Sequence, residues 1–433
     1  MALLKKPYLA IVWALIALIL GIKVKPTVDR VLEVLGIGRL ITPTVVSPAG
    51  DLKYIPDTIQ CEDLHLYEKT GMIFTACQDG REGRLSWFPP IDNFDDPFLA
   101  QESQGSIHII DPKTFTSTRL EMENFNGPFI THGIDVIEDP KNPHAVYIFA
   151  VNHKPNLEFL DALYSSKSTV DVDKARSSIE LFHHVLNTKT VRHLRTIHHP
   201  LITTPNDIFA RSPTSFFVTN DHLYREGHLY RFYEQINPNS RGTNIIHVML
   251  TSDDITAGVE ATIALDRMHN LNGLGHGRTE DEILIGHCTG GETHIAQISA
   301  NNQIRVLESV RVPMVMDNPT FFRDPYGSRS GILMPGLARG IELAGSQRNP
   351  DHKLASLVYF AMPSSNSSLV ADGKKSKWEV KKLFEDDGER LSTVSGAVMV
   401  PIEPTKKEGE KRKAWLFASG FLSHAVVAVK IEI

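Results

Sequence analysis

Four short polar pairs carry the strongest chemical signal in this chain: Glu62-Asp63, Asn206-Asp207, Asn272-Gly273 and Asp317-Asn318. Each lies beside an apolar stretch, where a lone charged or amide side chain is costly to bury. Carboxylate and amide oxygens together are the ligand set of hard cations, and Ca²⁺ takes roughly six to eight of them. One such pair alone reads as a turn or strand cap, because Asn and Asp favour turns. The sequence does not show that the four pairs converge. Histidine is the second reservoir of chemistry, with 19 in the chain. The pairs His183-His184 and His198-His199 flank apolar runs and read as surface or rim residues. Other catalytic motifs are missing. Gly327-Ser328-Arg329-Ser330-Gly331 has arginine where a nucleophile elbow needs its serine. There is no His-Glu-x-x-His, Cys-x-x-Cys or Walker loop, and Gly273-x-Gly275-x-Gly277 has no βαβ surroundings.

The elements that must position these residues read as β-strands. From about residue 55 onward, short runs rich in β-branched and aromatic residues follow one another. They include Met72–Ala76, Ser106–Ile110, Ala145–Val151, Ile179–Val185, Val191–Ile197, Ser215–Val218 and Ile245–Leu250. Thr262–Leu265, Glu282–Ile285, Ile304–Val310, Gly331–Met334, Leu357–Ala361, Trp378–Leu383, Ala397–Pro401 and Trp415–Lys430 complete the series. Turn signals such as Asp79-Gly80, Asp139-Pro140 and Asp387-Gly388 separate them. A span of about 380 residues is too long for one sandwich and fits six four-stranded blades of roughly 60 residues each. Pro89–Gln104, Asn156–Ala175, Ser364–Lys377 and Glu403–Lys413 read as inserted loops. Asn366-Ser367-Ser368, in the third of these, is a glycosylation sequon at Asn366.

The 433 residues are 42% hydrophobic and carry a formal charge of −6. That composition excludes a disordered chain and a multi-span membrane protein, and the mild acidity argues against nucleic-acid binding. Three cysteines exclude a disulfide scaffold and read as buried, reduced thiols, although Cys61 and Cys77 could be neighbours on paired strands. The one long apolar run, Tyr8–Ile22, reads as an uncleaved signal-anchor, with a cleaved signal peptide as the alternative. The lysines on its two sides balance, so orientation is not fixed. Val28–Leu40 reads as a short amphipathic helix or stalk. The chain thus divides into residues 1–50, anchor and stalk, and residues 51–433.

Seven blocks in a fixed order give a more specific signal. They are Glu62-Asp63-Leu64, Thr131-His132-Gly133-Ile134, Val151-Asn152-His153, Pro205-Asn206-Asp207-Ile208, Thr219-Asn220-Asp221-His222, Asn272-Gly273 and Asp317-Asn318. Through them the chain resembles a divergent member of the paraoxonase/arylesterase family, from about Cys61 to the C-terminus. The resemblance implies an all-β, six-bladed propeller with a central calcium-containing tunnel. It also implies two Ca²⁺ ions. Glu62, Asn206, Asn272, Asp317 and Asn318 match the ligands of a catalytic ion; Asp63, Asp207 and the carbonyl of Ile134 match those of a structural ion. His132 and His153 match a proposed dyad in which His132 takes a proton from water and His153 tunes it. His222 matches a position that lines or supports the site, and His424 one expected to be structural.

The implied reaction is hydrolysis of lactones and aryl esters, small-molecule substrates that need no acyl-enzyme. The implied setting is the secretory pathway, membrane-anchored or secreted. Two departures qualify the likeness. The C-terminus Val429–Ile433 lacks the cysteine of the serum-type terminal bridge, so closure of the ring must rest on strand pairing. Leu223–Ile236, at the position of the family's lid, carries Arg225, Glu226, His228, Arg231 and Glu234. Two other functions compete: a non-hydrolytic propeller that keeps calcium for stability, and a strictosidine-synthase-like condensing enzyme.

Overall fold

The computed structural model describes residues 25–43, 51–78, 80–255, 257–346, 348–349, 351, 353–364, 377–404 and 412–433. Tyr8–Ile22 and Asn366 lie outside the described residues. Among those described, no helix is long and apolar enough to cross a membrane.

Six antiparallel sheets follow one another along the chain. Blade one is Leu64–Tyr67, Met72–Cys77, Ser106–Asp111 and Thr116–Arg119, from the axis outward. Blade two is Thr131–Asp139, Asn142–Asn152, Ser178–Val185 and Thr190–Ile197, with Glu121–Glu123 added parallel to its outer edge. Blade three is Pro205–Ser212, Ser215–Asn220, Thr243–Leu250 and Val259–Met268. Blade four is Leu271–His276, Glu282–His287, Glu292–Ile298 and Ile304–Arg311. Blade five places both Val315–Met316 and Thr320–Phe322 on Gly331–Leu337, followed by Ser356–Pro363 and Trp378–Asp386. Blade six is Val394–Pro401, Lys413–Gly420 and Val427–Glu432, and its outermost strand is Leu52–Tyr54 from the other end of the chain. Each innermost strand touches the next, and Val394–Pro401 returns to Leu64–Tyr67, so the ring is closed.

The packing explains the strand pattern. Second strands are buried on both faces and read as continuous apolar runs, as in Met72–Cys77 and Gly331–Leu337. Outer strands alternate, as in Ile304–Arg311. Six apolar clusters fill the six blade-to-blade interfaces. Phe149 and Phe216 meet between blades two and three, and Phe360 and Leu416 share the cluster between blades five and six. A seventh, built on Trp87, Phe88, Ala100, Ile130 and Phe421, caps one end of the tunnel.

Several expectations change. Trp415–Lys430 is two strands, Lys413–Gly420 and Val427–Glu432, because the chain turns where Ser423 donates its amide to the Gly420 carbonyl. The cysteines are not all reduced: Cys61 and Cys77 form a disulfide, and only Cys288 is free. Pairing of Leu64–Tyr67 with Met72–Cys77 brings the residues before Leu64 back beside Cys77, and the bridge joins cysteines 16 residues apart. His184 is fully buried, with Nδ1 on the Thr190 carbonyl at 2.8 Å, and is not a rim residue. Two of the inserted loops hold short helices, Pro97–Glu102 and Leu157–Tyr164, each capped at its start by Asp96 or Asn156. The stalk is helical over residues 25–34 and is pinned to the ring by Arg30, whose Nη2 donates to the carbonyls of Gly290, Gly291 and Val312.

Closure rests on Leu52–Tyr54 pairing with Val427–Val429 and on Ile55, which is fully buried and donates its amide to Val426. Ile55→Ala should therefore cost about 2–5 kcal/mol in urea denaturation. Exposed Tyr54→Ala should stay within about 0.5 kcal/mol, and equal costs would show that the seam does not hold the ring.

Candidate functional site

The polar pairs sit at the innermost strands of four of the six blades, so ring closure brings them together around the axis. Glu62 and Asp63 precede Leu64, and Asn206-Asp207 and Asn272 open the innermost strands of blades three and four. Asp317-Asn318 lies between the two short inner strands of blade five. The convergence is direct. Asn318 Nδ2 donates to Glu62 Oε1 at 2.8 Å, across 256 residues of sequence. Asn206 Nδ2 donates to Asp221 Oδ2 at 3.2 Å.

Those two bonds tether the amide nitrogens and leave the amide oxygens free. Asn206 Oδ1, Asn272 Oδ1, Asn318 Oδ1 and Glu62 Oε2 are all buried without a hydrogen-bond partner. A buried acceptor without a donor costs about 1–3 kcal/mol, so four around one axis need a common explanation. Asp317, on the tunnel wall, belongs to the same group. Burial first, then the charges of Glu62 and Asp221, push its carboxyl well above the usual range. Burial and then Asp63 raise Glu62 to about 8. Among the described residues the cation that opposes this rise is Arg84, fully buried, with Nη2 on the Thr131 carbonyl at 2.8 Å. An oxygen-only donor set of carboxylates and amides fits a hard divalent cation.

A second pair lies beside the first. Asp63 and Asp207 are pushed well above the usual range by burial, Asp63 next by Asp207 and Asp207 next by Glu62. Each keeps hydrogen bonds from backbone amides: Leu64 to Asp63 at 2.8 Å, and Ile208 and Leu274 to Asp207 at 2.8 and 2.7 Å. Ile134, whose carbonyl is the expected third ligand, donates its amide to Asp63 Oδ2 at 3.4 Å. Two glycines make the approach possible. A Cβ on Gly133 would stand 2.3 Å from Asp207 Oδ1, and one on Gly273 would stand 2.1 Å from Asn318 Oδ1.

His132 and His153 come from neighbouring strands of blade two and touch: His153 Nε2 lies 2.9 Å from His132 Nδ1, and His153 Nδ1 lies 2.9 Å from Ser177 Oγ. His132 Nε2 stands 3.9 Å from Glu62 Oε1, at the edge of the oxygen cluster. Burial first, then His153 and Arg84, holds the His132 imidazole well below its ordinary range. Burial and then Arg84 lower His153 to about 3. Both rings are therefore neutral at physiological pH. Phe88 packs edge-on against both, and Trp87 Nε1 donates to the His153 carbonyl at 2.8 Å.

The segment after Asp221 folds over this site as a helix, His228–Ile236. Its buried Glu234 accepts at Nδ1 of His222, which burial and then Arg231 lower to about 4. Buried Arg231 donates to the carbonyls of Pro89 and Pro90. Lys174 pairs with Glu226 at 2.6 Å, and Arg225 pairs with Asp173. Together they leave a cavity of about 20 Å³ above His153 and Asp221, room for about one water. The lid's charged composition thus serves as a latch. Its outer face still exposes Leu229, Tyr230, Phe232 and Tyr233, so charge and aromatic exposure occupy opposite sides of one helix.

Sequence reading missed Arg84, Trp87, Phe88 and Ser177, and it quoted Asp221 in a block and Glu234 in the lid segment without giving either a role at the axis. Nothing local marks Arg84 or Asp221 as facing the axis. His424, expected to be structural, is exposed.

The arylesterase family model matches residues 89–400. Among curated proteins, rat serum paraoxonase/arylesterase 2 is 23% identical over 53% of this chain and 56% of its own length. Mouse serum paraoxonase/lactonase 3 is 24% identical over 69% of this chain and 73% of its own. The chain spans about half the length of the first of these relatives. Among solved structures, a luciferin-regenerating enzyme superposes with a TM-score of 0.42 at 10% identity, covering 90% of this chain and 95% of that one. With the family model matched across most of its length, the chain belongs to the arylesterase family.

Proposed function

We propose that this protein is a calcium-dependent hydrolase of lactones and aryl esters. The observation that carries the reading is the set of four buried, unpartnered oxygens on Glu62, Asn206, Asn272 and Asn318, with Asp317 beside them. These five residues would hold the ion at the reaction centre, and Asp63, Asp207 and the Ile134 carbonyl would hold a second, structural one. When bound, calcium supplies positive charge for a substrate carbonyl oxygen that becomes an oxyanion. The protein's own part is proton transfer and exclusion of water. His132, neutral and 2.9 Å from His153, is placed to take a proton from an attacking water at the edge of the cluster. His153 and Ser177 continue that hydrogen-bonded line away from the site. The relatives' names, arylesterase and lactonase, support the same substrate class.

Calcium of both kinds follows from one electrostatic fact. Buried like charges repel strongly in a low-dielectric interior, and cations relieve that repulsion. The Cys61–Cys77 disulfide supports an oxidising compartment. The reading therefore places the protein in the secretory pathway, held to the membrane by Tyr8–Ile22 or released from it, with Asn366 as a glycosylation site.

Three measurements test it. Chelation should abolish hydrolysis across a lactone and aryl-ester panel, with recovery on calcium return, and Asp317→Ala should be inactive at any calcium level. Undiminished turnover after chelation sinks the proposal, while a dead panel with calcium-dependent melting points to a purely structural role for the ion. His132→Gln should lower kcat by about 10²–10⁴-fold while the calcium-dependent melting shift persists; wild-type kcat would remove His132 from the mechanism.

The third concerns pH. Glu62 moves from 4.5 to about 8 on burial, so between those values the folded, calcium-stripped chain holds a proton that the unfolded chain has released. Glu62's contribution to the stability of the stripped protein is therefore fully present below about pH 4.5 and is lost as pH rises through about 8. Saturating calcium should reverse that slope, because the ion competes with the proton. Melting curves from pH 5 to 9 with and without calcium check both signs.

A further inference from the structure

Blade four carries a second cluster of ligand-type side chains, remote from the oxygen cluster in its chemistry. His287 ends one strand and Glu292 begins the next, and the two are direct cross-strand partners. His294 lies two residues beyond Glu292, so strand geometry puts all three on one face of the sheet. His287 Nδ1 and His294 Nδ1 stand 3.8 and 3.9 Å from Glu292 Oε2. One ligand atom from each residue lies within 4.8 Å of the other two. The three side chains are only 16%, 15% and 9% exposed.

Hydrogen bonds fix which atoms are free. His269 Nε2 faces the carbonyls of Glu234 at 3.1 Å and Gln235 at 3.2 Å. Carbonyls only accept, so that nitrogen carries the proton and His269 Nδ1 is an acceptor. His287 Nε2, 2.9 Å from His269 Nδ1, must therefore be the donor. This leaves a lone pair on His287 Nδ1, which is buried without a hydrogen-bond partner. A proton there would find its nearest carboxylate oxygen at 3.8 Å, beyond hydrogen-bond reach. Glu292 is likewise poised: Oε1 accepts from Arg311 Nε at 2.7 Å, and Oε2 is the oxygen turned toward both imidazoles. Ser309, opposite His294 on the next strand, lies 2.7 Å from His294 Nδ1, a hydrogen bond that a metal on that nitrogen would replace.

A lone pair and a carboxylate oxygen facing each other in a buried site repel unless a cation lies between them. We propose that His287, Glu292 and His294 form a transition-metal site of the zinc class. Two imidazoles and one carboxylate suit zinc and its neighbours, whereas calcium takes oxygen alone. Tetrahedral zinc with bonds of about 2.0–2.2 Å sets ligand atoms roughly 3.3 Å apart, so atoms that now lie within 4.8 Å of one another need to draw together by up to about 1.5 Å. A cavity of about 300 Å³ beside the cluster, reached between residues 26–31 and the end of the lid helix, leaves room for water as the fourth ligand. His269 and Arg311 are the outer groups that orient His287 and Glu292, as such partners do in metal sites. Through His269 the site also grips the last turn of the lid helix, whose Glu234 holds His222.

The test uses the full chain, stripped with chelator and then saturated with calcium to fill oxygen-rich sites. Cobalt(II) should bind at one equivalent with the intense visible absorption of a tetrahedral nitrogen–oxygen site, and zinc should displace it. His294→Ala and Glu292→Gln should abolish the signal, and His269→Phe should weaken zinc about 10–100-fold, each with cooperative melting retained as the check on folding. Failure of the folded, calcium-saturated wild type to take up one equivalent overturns the site, and so does undiminished uptake by Glu292→Gln, the variant least disruptive to the fold. Lactone turnover is not needed for any of these readouts, so they stand apart from the hydrolase proposal.

Discussion

The structure depends on the crowding of like charge at its axis. Glu62, Asp63, Asp207 and Asp221 are buried and Asp317 stands on the tunnel wall; burial first, and then neighbouring charges, raises the proton affinities of Glu62, Asp63, Asp207 and Asp317. An apolar axis would close six blades with less penalty. The ring instead spends stability on a polar centre, held in place by interfaces of Phe, Ile, Val and Leu between every pair of blades. That is the usual economy of a functional site on a rigid scaffold, in which packing around the rim over-determines a costly centre.

The same centre organises what lies above it. The amide nitrogens of Asn206 and Asn318 are tethered by carboxylates, and this turns their oxygens to the axis. His132 and His153 approach from blade two with their rings kept neutral by burial. The lid helix is held over the acidic floor by buried Arg231 and Glu234, while the exposed pairs at its start are of the kind worth only about 0–1 kcal/mol each.

Legibility in the sequence followed the apolar pattern. The middle strands, buried on both faces, were readable as runs of Val, Ile and Phe. The innermost strands were not: Leu64–Tyr67, Thr131–Asp139, Pro205–Ser212 and Leu271–His276 begin at or just after polar residues or glycines. Polar residues at their starts mask the hydrophobic alternation that marks a strand elsewhere. The helices Leu157–Tyr164 and His228–Ile236 went unseen because both are too short for three turns of periodicity to stand out. The Cys61–Cys77 bridge escaped because proximity across a hairpin follows from register, which the sequence leaves open. His184 was misplaced for a related reason, since a histidine in a β-run gives no sign of which face it occupies.

By itself the sequence determined the all-β pattern with its apolar middle strands, the inventory of oxygen-bearing side chains and the order of the blocks that carry the family likeness. These are local properties, written in composition and period. Tertiary structure alone decided that Glu62 and Asn318 meet, because ring closure sets that distance. It also decided which atom of each side chain is left free. Asn206 Oδ1 and His287 Nδ1 are unpartnered only because another residue, 15 or 18 positions away, has taken the other polar atom of the same group. Hydrogen bonds are directional and saturable, so the chemistry of a polar side chain is fixed by its neighbours in space and not by its identity in the chain.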